Sequence, residues 1–192
     1  MARNGYYTLR SAWQADGSDY LNQGYMNIFT HVSANVNEEG ISAGSQWVAD
    51  LNIGDVVFSR TETADKHPHL ATGQNLLIAD ETAYPALVGI LDLWQNDLAP
   101  EIIIVSQQQN EQDYFSEKYE NVLPANATIY RVVKPVAEQT EAILKVIENI
   151  DNIDGVWGAL ENNSAKRIRH YLRNQCGLSG KVNHVKGYWR LK

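Results

Sequence analysis

The stretch LLIADETAYPALVGILDLW, residues 76–94, decides the fold of this chain. It opens with an apolar run that ends at Ala79 and continues as a helical pattern that begins near Ala83. A buried strand that leads directly into a helix is the first half of a βαβ unit, and such units build parallel sheets. Between the two elements, where dinucleotide-binding folds usually carry glycines, stand Asp80, Glu81 and Thr82. The stretch therefore predicts a parallel sheet with acidic chemistry at its first strand-to-helix junction.

The chain beyond residue 75 repeats this alternation. Helical patterns separate five short apolar runs, which are NLLIA, EIIIVS, TIYRVV, GVWGAL and KVNHVKGYW. Strands that are buried on both faces of a parallel sheet have nearly continuous apolar sequences, as these do. We therefore predict a five-stranded parallel sheet over residues 75–192, with ligands bound beyond the carboxyl ends of its strands.

The first 60 residues follow a different pattern. GYYTLRSAW and YMNIFTHVS predict antiparallel strands, SAGSQWVADLN predicts a helix with a serine at its start, and GDVVFS predicts a further strand. So few strands make only half of an antiparallel β-barrel. The predicted fold class is thus α/β plus β, with a partial barrel over residues 1–60, a linker over 61–74 and the parallel-sheet domain over 75–192.

The charge of the chain is unevenly distributed. The net charge is −7, yet residues 162–192 include eight basic residues and no acidic one. Two interpretations stay open, a solvated basic helix face and a cationic mouth that attracts an anionic ligand. The negative overall charge and the lack of a recognised nucleic-acid motif argue against DNA or RNA as a partner.

Other features narrow the class of protein. A single cysteine, Cys176, excludes an internal disulfide, and no apolar stretch reaches the roughly 18 residues that a bilayer span needs. Because no apolar leader opens the chain, we expect a cytoplasmic protein without membrane contact. His67 and His69 lie close together on a loop, but no further ligand is identifiable, so no metal site is predicted there. Trp94 and Trp157 lie in apolar periodic segments and are predicted to be core residues.

The acidic junction allows two interpretations. A helix N-terminus offers free backbone N–H groups and the positive end of the helix dipole, so it attracts phosphate even without glycine. Thr82 would then donate its hydroxyl or cap the helix, and Asp80 or Glu81 would turn toward ribose, a nicotinamide amide or backbone N–H groups. Pro85 is tolerated in the first turn, where its missing N–H costs little. Alternatively, the acids merely stabilise the helix dipole.

Two motifs of the parallel-sheet segment resemble the siderophore-interacting protein family. The family pattern G-D-E-T-A-x-P-A matches residues 79–86 with only the first glycine replaced, and the pattern G-Y-W-R matches residues 187–190 fully. VWGALENN resembles the last strand of the family before a glutamate, which here is Glu161. Because the first two patterns stand at the right distance from each other, the resemblance is fairly specific.

The first 60 residues resemble the flavin-binding part of the same family. The family's tyrosine–threonine strand, R-x-Y-T-x-R, matches Tyr7, Thr8 and Arg10 but has glycine at the position of the first arginine. Its G-P-A-S-x-W-A segment aligns loosely with residues 42–49 and keeps Ser45. Family members normally have further barrel strands before the tyrosine–threonine segment. The resemblance thus covers nearly the whole chain, but only part of the barrel.

This resemblance implies a ferredoxin–NADP reductase-like fold, in which a flavin-binding barrel precedes a nicotinamide-nucleotide domain. It implies an FAD-dependent ferric-siderophore reductase, in which electrons pass from NAD(P)H through FAD to Fe(III), and no side chain acts as acid, base or nucleophile. The cofactor-binding residues that it implies are Tyr7, Thr8, Arg10, Ser45, Asp80, Glu81, Thr82, Glu161, Tyr188 and Trp189. The residues expected to face the ferric chelate are Lys186, Arg190 and Lys192.

Two further expectations concern the cofactors. Gly5 in place of an arginine, together with the short barrel, implies a loosely held flavin. Ser106 and residues 107–109, which follow the second strand of the sheet, lack the acid that usually holds the 2′-hydroxyl of NAD, which favours NADPH. Two alternatives stay open, an NAD(P)H:flavin reductase that uses diffusible flavin and a non-catalytic nucleotide- or partner-binding protein.

Overall fold

The alternation of apolar runs and helical patterns gives seven strands and four α-helices among the residues that the computed structural model describes, 7–30, 43–57, 66–115, 124 and 126–191. In chain order these elements are β1 Leu9–Trp13, β2 Gln23–Met26, α1 Ala43–Asp50, β3 Asn75–Ala79, α2 Tyr84–Asp92, β4 Glu101–Ser106, β5 Thr128–Val133, α3 Val136–Ile147, β6 Gly155–Glu161, α4 Asn162–Asn174 and β7 Asn183–Trp189. The chain divides into two compact units, residues 1–66 and 67–192.

The second unit is built on a parallel sheet with the strand order β5-β4-β3-β6-β7. The five strands and their parallel pairing are confirmed as predicted. Every residue of β3 and β6 is buried, because their apolar side chains succeed one another and cover both faces. From the central β3 the chain proceeds through β4 and β5 to one edge, and β6 and β7 form the other edge. This order is that of a doubly wound fold.

Helices cover both faces of this sheet. Because side chains alternate along a strand, Leu77 packs with Leu87 of α2 in one apolar cluster, while Ile78 packs with Ile143 of α3 and Ile168 of α4 in another. Each fully buried aliphatic side chain of this kind stabilises the fold by roughly 1.5–3 kcal/mol. The core therefore lies in two layers, with the sheet between them.

Several local predictions can be compared with the second unit. Trp157 is a core residue, since it is 2% exposed, and Trp94 packs against the same cluster while partly buried. The polar segment after β4 forms a 3₁₀ helix over Gln109–Phe115. Cys176 is exposed just after α4. In the described part of the chain, no helix is both long and apolar enough to cross a bilayer.

Residues 67–74, which the sequence assigned to a linker, are packed as part of the second unit. The Nδ2 group of Asn75 lies within hydrogen-bond distance of the carbonyl oxygens of Leu70, Thr72 and Gly73, at 3.1, 3.2 and 3.1 Å. A 3₁₀ turn over Pro68–Leu70 precedes this loop and contributes the buried Leu70 side chain. Because one buried amide fixes three carbonyls, this segment has a defined conformation at the start of the sheet.

The first unit contains β1 and β2, which pair antiparallel with Leu9 opposite Met26 and Trp13 opposite Gln23, and the helix α1. The antiparallel pairing and the helix are confirmed. Among the described residues of this unit none is a buried apolar residue, and large apolar side chains such as Tyr20 and Ile53 are exposed. A two-stranded sheet and one short helix bury too little apolar surface to form a core of their own.

Two details of the first unit were predicted wrongly. The second strand was expected over residues 25–33, but β2 begins at Gln23 and ends at Met26, and residues 31–33 lie outside the described part. The strand expected over residues 54–59 is absent from its described portion, 54–57. There Gly54 has a φ of +99°, and the N–H of Asp55 donates to the carbonyl of Asn52, so a turn replaces the start of the strand.

The glycine at the start of β6 provides a stability test. A Cβ at Gly155 would lie 2.5 Å from Oδ1 of Asn75 and 2.9 Å from the carbonyl oxygen of His69, whereas a Cβ at Gly89 of α2 would meet nothing within 4 Å. Gly155→Ala should therefore destabilise the protein by roughly 1–3 kcal/mol. Gly89→Ala should stabilise it by up to about 1 kcal/mol, because alanine favours helix. Urea unfolding of both variants measures the difference, and equal effects would contradict it.

Candidate functional site

The carboxyl ends of β3 and β6 form the centre of the candidate site. The chain leaves β3 through α2 on one face of the sheet and leaves β6 through α4 on the other face. Neighbouring strands whose connections go to opposite faces open a crevice at their carboxyl ends, which is where doubly wound proteins bind ligands. Asp80 follows β3 and Glu161 ends β6, so both acids stand at this crevice.

Asp80 is fully buried and surrounded by donors. Its Oδ1 accepts the hydroxyl of Thr82 at 2.6 Å and the N–H of Thr82 at 3.1 Å, and its Oδ2 accepts the indole N–H of Trp189 at 2.7 Å. The backbone N–H of Glu161 is a further donor. One carboxylate thus connects the end of β3, the end of β6 and the end of β7. The sequence predicted these residues separately and gave no signal that they bond to one another.

Two opposing effects set the pKa of Asp80. Burial raises the pKa of this carboxyl to about 6, although the hydrogen bonds from Thr82 and Trp189 act in the opposite direction. Burial has the larger effect because a carboxylate loses its hydration inside the protein. The carboxyl group is still mostly ionised at neutral pH, and its hydrogen-bond donors stabilise this charged form.

Glu81 turns toward the neighbouring strand. Its Oε1 accepts the N–H of Gln107 at 2.9 Å, just beyond β4. Glu111 from the 3₁₀ helix accepts the same N–H at 3.0 Å and that of Gln108 at 2.8 Å, so two carboxyl groups meet at one backbone amide. Burial raises the pKa of Glu81 well above its usual range, and the adjacent Asp80 and Glu111 raise it further. The sequence missed Glu111 because it lies beyond the end of the strand, in a polar segment.

The first turn of α2 offers fewer donors than predicted. The N–H of Thr82 is bonded to the Asp80 side chain and that of Ala83 to the Asp80 carbonyl, while Pro85 has no N–H. The prediction of free N–H groups at this junction is therefore wrong for Thr82 and Ala83. Thr82 is also not a helix cap, because Ala83 holds that position without a side-chain bond. By contrast, the predicted turn of the acids toward backbone N–H groups is confirmed for both Asp80 and Glu81.

The two side-chain oxygens of Glu161, at the end of β6, have different surroundings. Its Oε2 accepts the N–H groups of Asn163 and Ser164 at 2.7 and 2.9 Å, which caps α4. Its Oε1 is buried and has no hydrogen-bond partner among the described residues. A buried carboxylate oxygen without a partner is costly, so it marks a position where a ligand donor fits.

The end of β7 divides into inward and outward side chains. Trp189 is half-buried and points to Asp80, whereas Lys186 and Tyr188 are exposed. Gly187 is needed here because a Cβ would lie 2.6 Å from Oδ1 of Asn162 at the start of α4. Arg190 follows the strand and is exposed, and Lys192 lies outside the described part of the chain.

The predicted flavin residues of the first unit come together only in part. The ring of Tyr7 leans on Trp47 with 5.3 Å between centroids, and its hydroxyl would lie 2.8 Å from a Cβ at position 44. Gly44 thus lets the Tyr7 side chain reach α1, next to the buried Ser45. Thr8 and Arg10 are half-buried on the same segment.

Comparisons with known proteins agree on one family. The model of the family described as siderophore-interacting protein matches residues 72–192. Ferric acinetobactin reductase of Acinetobacter baumannii is 27% identical over 169 residues, which cover 81% of this chain and 54% of that protein. The chain therefore spans about half the length of the curated relative that it matches.

Two solved structures show the same fold at low identity. A siderophore utilization protein from T. fusca superposes with a TM-score of 0.64 and 22% identity, over 96% of this chain and 65% of that one. A siderophore-interacting protein from Acinetobacter baumannii superposes with a TM-score of 0.57 and 21% identity, over 80% of this chain and 61% of that one.

The bond between Trp189 and Asp80 predicts a pH-dependent loss of stability. Trp189→Phe removes a donor that lowers the pKa of Asp80, so the native pKa rises further above that of the unfolded chain. An acid with a raised native pKa costs stability once it is ionised, so the loss should grow as the pH rises through about 6 and fade below it. We expect a loss of about 1–3 kcal/mol near pH 8.

Trp94→Phe is the matched control for this measurement. The Trp94 indole donates to the neutral carbonyl of Leu98 at 3.2 Å, and both lie in the same unit. Its loss should be smaller and should not change with pH. Chemical unfolding of the two variants and the parent chain at about pH 5 and about pH 8 gives the comparison. An equal loss for Trp189→Phe at both values would show that Asp80 is not the charged partner.

Proposed function

Because the chain belongs to the siderophore-interacting protein family, we propose that it is a flavin-dependent ferric-siderophore reductase supplied with electrons by NAD(P)H. The observation that carries the proposal is the polar network around Asp80 and Glu161 at the crevice between β3 and β6. A crevice of this type is the nucleotide site of doubly wound folds. The name of the curated relative, a ferric acinetobactin reductase, supports the reaction and the class of substrate.

The residues at the crevice fit the uncharged parts of a nicotinamide nucleotide. Glu161 presents a buried acceptor without a partner among the described residues, and ribose hydroxyls and the nicotinamide amide are donors. Asp80 is a buried carboxylate that is mostly ionised at neutral pH, so it repels phosphate at this place. We therefore assign Thr82 and Glu161 to the ribose and amide groups of the nucleotide and not to its pyrophosphate, while Asp80 and Glu81 hold the turn beside them through their protein donors. Tyr188 and Trp189 would supply the aromatic surface beside them.

The preference for NADH or NADPH depends on whether an acidic side chain lies at the carboxyl end of β4. The sequence favoured NADPH because residues 106–109 contain no acid. The carboxylate of Glu111 nevertheless reaches this place and binds the N–H groups of Gln107 and Gln108. A carboxylate at the end of the second strand accepts from a 2′-hydroxyl and repels a 2′-phosphate. Glu111 therefore gives a reason to favour NADH that the sequence reading lacked.

The first unit fits a flavin, though a weakly held one. The Tyr7 ring is 41% exposed and leans on Trp47, so one aromatic face is available for stacking. Arg10 offers a positive charge for phosphate, and Thr8 and the buried Ser45 offer hydroxyls near α1. Position 5 is glycine where the family has arginine, which removes one charge-assisted contact. When bound, FAD would supply the conversion of a two-electron donor into single-electron transfers to Fe(III).

In this proposal the side chains position and select, since the cofactors supply the redox chemistry. Reduction releases the metal because Fe(II) binds hard oxygen ligands more weakly than Fe(III) does. Lys186 in the middle of β7 and Arg190 just after it are exposed, within the segment that has eight basic residues and no acidic one. We propose that Lys186 and Arg190 attract an anionic ferric chelate. Lys192 would belong to the same group.

A second candidate function is an NAD(P)H:flavin reductase that uses diffusible flavin. The observation that favours it is the composition of the first unit, whose described residues include no buried apolar side chain. A flavin bound on such a surface keeps much contact with water, so it exchanges readily. The two functions share the nucleotide site and differ only in whether flavin is a cofactor or a substrate.

Flavin titration separates these functions. We expect the purified chain to lose FAD during gel filtration and to reduce a ferric chelate with NADH or NADPH once FAD is restored. A rate that saturates near one FAD per chain supports a bound cofactor, and a rate that keeps rising with excess FAD supports diffusible flavin.

The chelate-reduction rate is measured with each coenzyme, and NADH should be preferred if Glu111 binds the ribose. A chain that oxidises neither coenzyme with added FAD is not a reductase.

The basic end of β7 is tested by charge reversal. Arg190→Glu should raise the KM for an anionic ferric chelate roughly fivefold, which corresponds to about 1 kcal/mol of lost attraction. The effect should shrink at high salt, because exposed charges are screened. The KM for a neutral ferric chelate should stay the same.

Lys181→Glu is the matched control for Arg190→Glu. It makes the same change of charge at an exposed residue just before β7, at the opposite end of the strand. Equal effects of the two variants on KM, or equal effects of Arg190→Glu on both chelates, would refute a local role for Arg190.

A further inference from the structure

Three histidines lie close together at the amino ends of the parallel strands, at the opposite end of the sheet from the crevice. His67 and His69 flank Pro68 at the 3₁₀ turn that precedes β3, and His184 is the second residue of β7. One ligand atom of each imidazole lies within 4.8 Å of the ligand atoms of the other two. The sequence shows only the first two as neighbours. The parallel pairing of β7 with β6, which sets His184 opposite Trp157, brings the third.

Two of the imidazoles are already oriented by backbone carbonyls. Nε2 of His69 lies 3.2 Å from the carbonyl oxygen of Val156, and Nε2 of His184 lies 3.1 Å from that of Lys181. When each Nε2 donates its proton, each Nδ1 keeps a lone pair. Nδ1 of His69 is buried and has no hydrogen-bond partner among the described residues. Metal-bound histidines typically donate their second ring nitrogen to a carbonyl in this way, which fixes the tautomer and the orientation of the ring.

The three imidazole rings lie close together, and protonation of His69 is unfavourable. The rings of His69 and His184 are 4.0 Å apart between centroids, and those of His67 and His69 are 5.9 Å apart. Burial lowers the pKa of His69 to about 4, and the neighbouring His184 and His67 act in the same direction. His69 is therefore neutral at neutral pH. Neutral imidazole is the form that binds metal.

The backbone around the cluster holds its position. Asn75 fixes the carbonyls of the loop that follows the turn, and Nδ2 of Asn96 binds two of the same carbonyls, those of Leu70 and Gly73. Gly155 lets the carbonyl of His69 approach β6, where a side chain would collide. The ligands therefore sit on a rigid turn and a sheet strand, so little ordering is left for a bound ion to impose.

We propose that His67, His69 and His184 bind a divalent transition-metal ion of the Zn²⁺ class, at a site separate from the redox crevice. In a tetrahedral zinc site with bonds of about 2.0–2.1 Å, nitrogen ligands lie about 3.4 Å apart, and the ligand atoms of the three histidines already lie within 4.8 Å of one another. Among the described residues the donor set contains neither carboxylate nor thiolate, and three imidazoles suit Zn²⁺, Ni²⁺ or Cu²⁺ better than Mg²⁺ or Ca²⁺. Water would complete the shell, and the ion would fasten the 67–70 turn to β7.

The site is tested by metal titration of the tag-free chain after treatment with a chelator. We expect calorimetry to find one Zn²⁺ per chain, and added Zn²⁺ to raise the melting temperature. His184→Gln should weaken binding by at least about tenfold, the smallest effect typical of a disturbed ligand shell, and should remove the thermal shift. His170→Gln is the control, because His170 is exposed on α4 and lies outside the cluster. It should bind Zn²⁺ like the parent chain.

Two further measurements keep the test decisive. If His184→Gln does not fold, as judged by circular dichroism, His67→Gln is the second variant and carries the same expectation. Co²⁺ bound to the unmodified chain should give the strong visible absorption of a four-coordinate ion. A weak six-coordinate spectrum, or Zn²⁺ binding that is equally strong in His184→Gln or His67→Gln and in the parent chain, would overturn the proposal. Neither readout requires flavin, nicotinamide or a ferric chelate, so the result is independent of the reductase function.

Discussion

The second unit depends on one buried carboxylate being fully supplied with donors. Asp80 receives the hydroxyl and N–H of Thr82, the indole of Trp189 and the backbone N–H of Glu161. An ionised carboxyl group without these donors would be too costly to bury at the centre of a sheet. With them, the same group joins three strand ends that are distant in sequence. The connection therefore links the ends of β3, β6 and β7 at the crevice.

The crevice has an unusual charge for a doubly wound fold. Phosphate-binding folds rely on glycines and free N–H groups, whereas this one presents Asp80, Glu81, Glu111 and Glu161 and uses its own N–H groups internally. Such a surface selects hydroxyl and amide donors and disfavours anions. The exposed basic residues just beyond it supply the opposite sign. Under the proposed function, this arrangement would attract an anionic chelate without drawing it into the proposed nucleotide site.

The two ends of the parallel strands thus carry different chemistry. Acids on tight turns lie at the carboxyl ends of the strands, and three imidazoles on a turn and a strand lie at the amino ends. Both arrangements depend on the rigidity of β3 and β6, whose side chains are buried on both faces. The first unit lacks this support in its described residues, since it has no buried apolar side chain. Its proposed flavin contacts therefore rest on local packing, as between Tyr7 and Trp47.

The sequence by itself determined the strands of the second unit, because short β-branched apolar runs such as EIIIVS that alternate with helical patterns are typical of buried parallel strands. It also identified Asp80 and Glu81 as polar residues at a strand end, and the family resemblance added Glu161. Only the tertiary structure decided which groups meet there. Trp189 and Asp80 become partners because β7 joins the sheet beside β6, and His184 reaches His69 for the same reason. Such long-range pairings leave no local pattern, since the period of a strand fixes which face a side chain takes and not its neighbour.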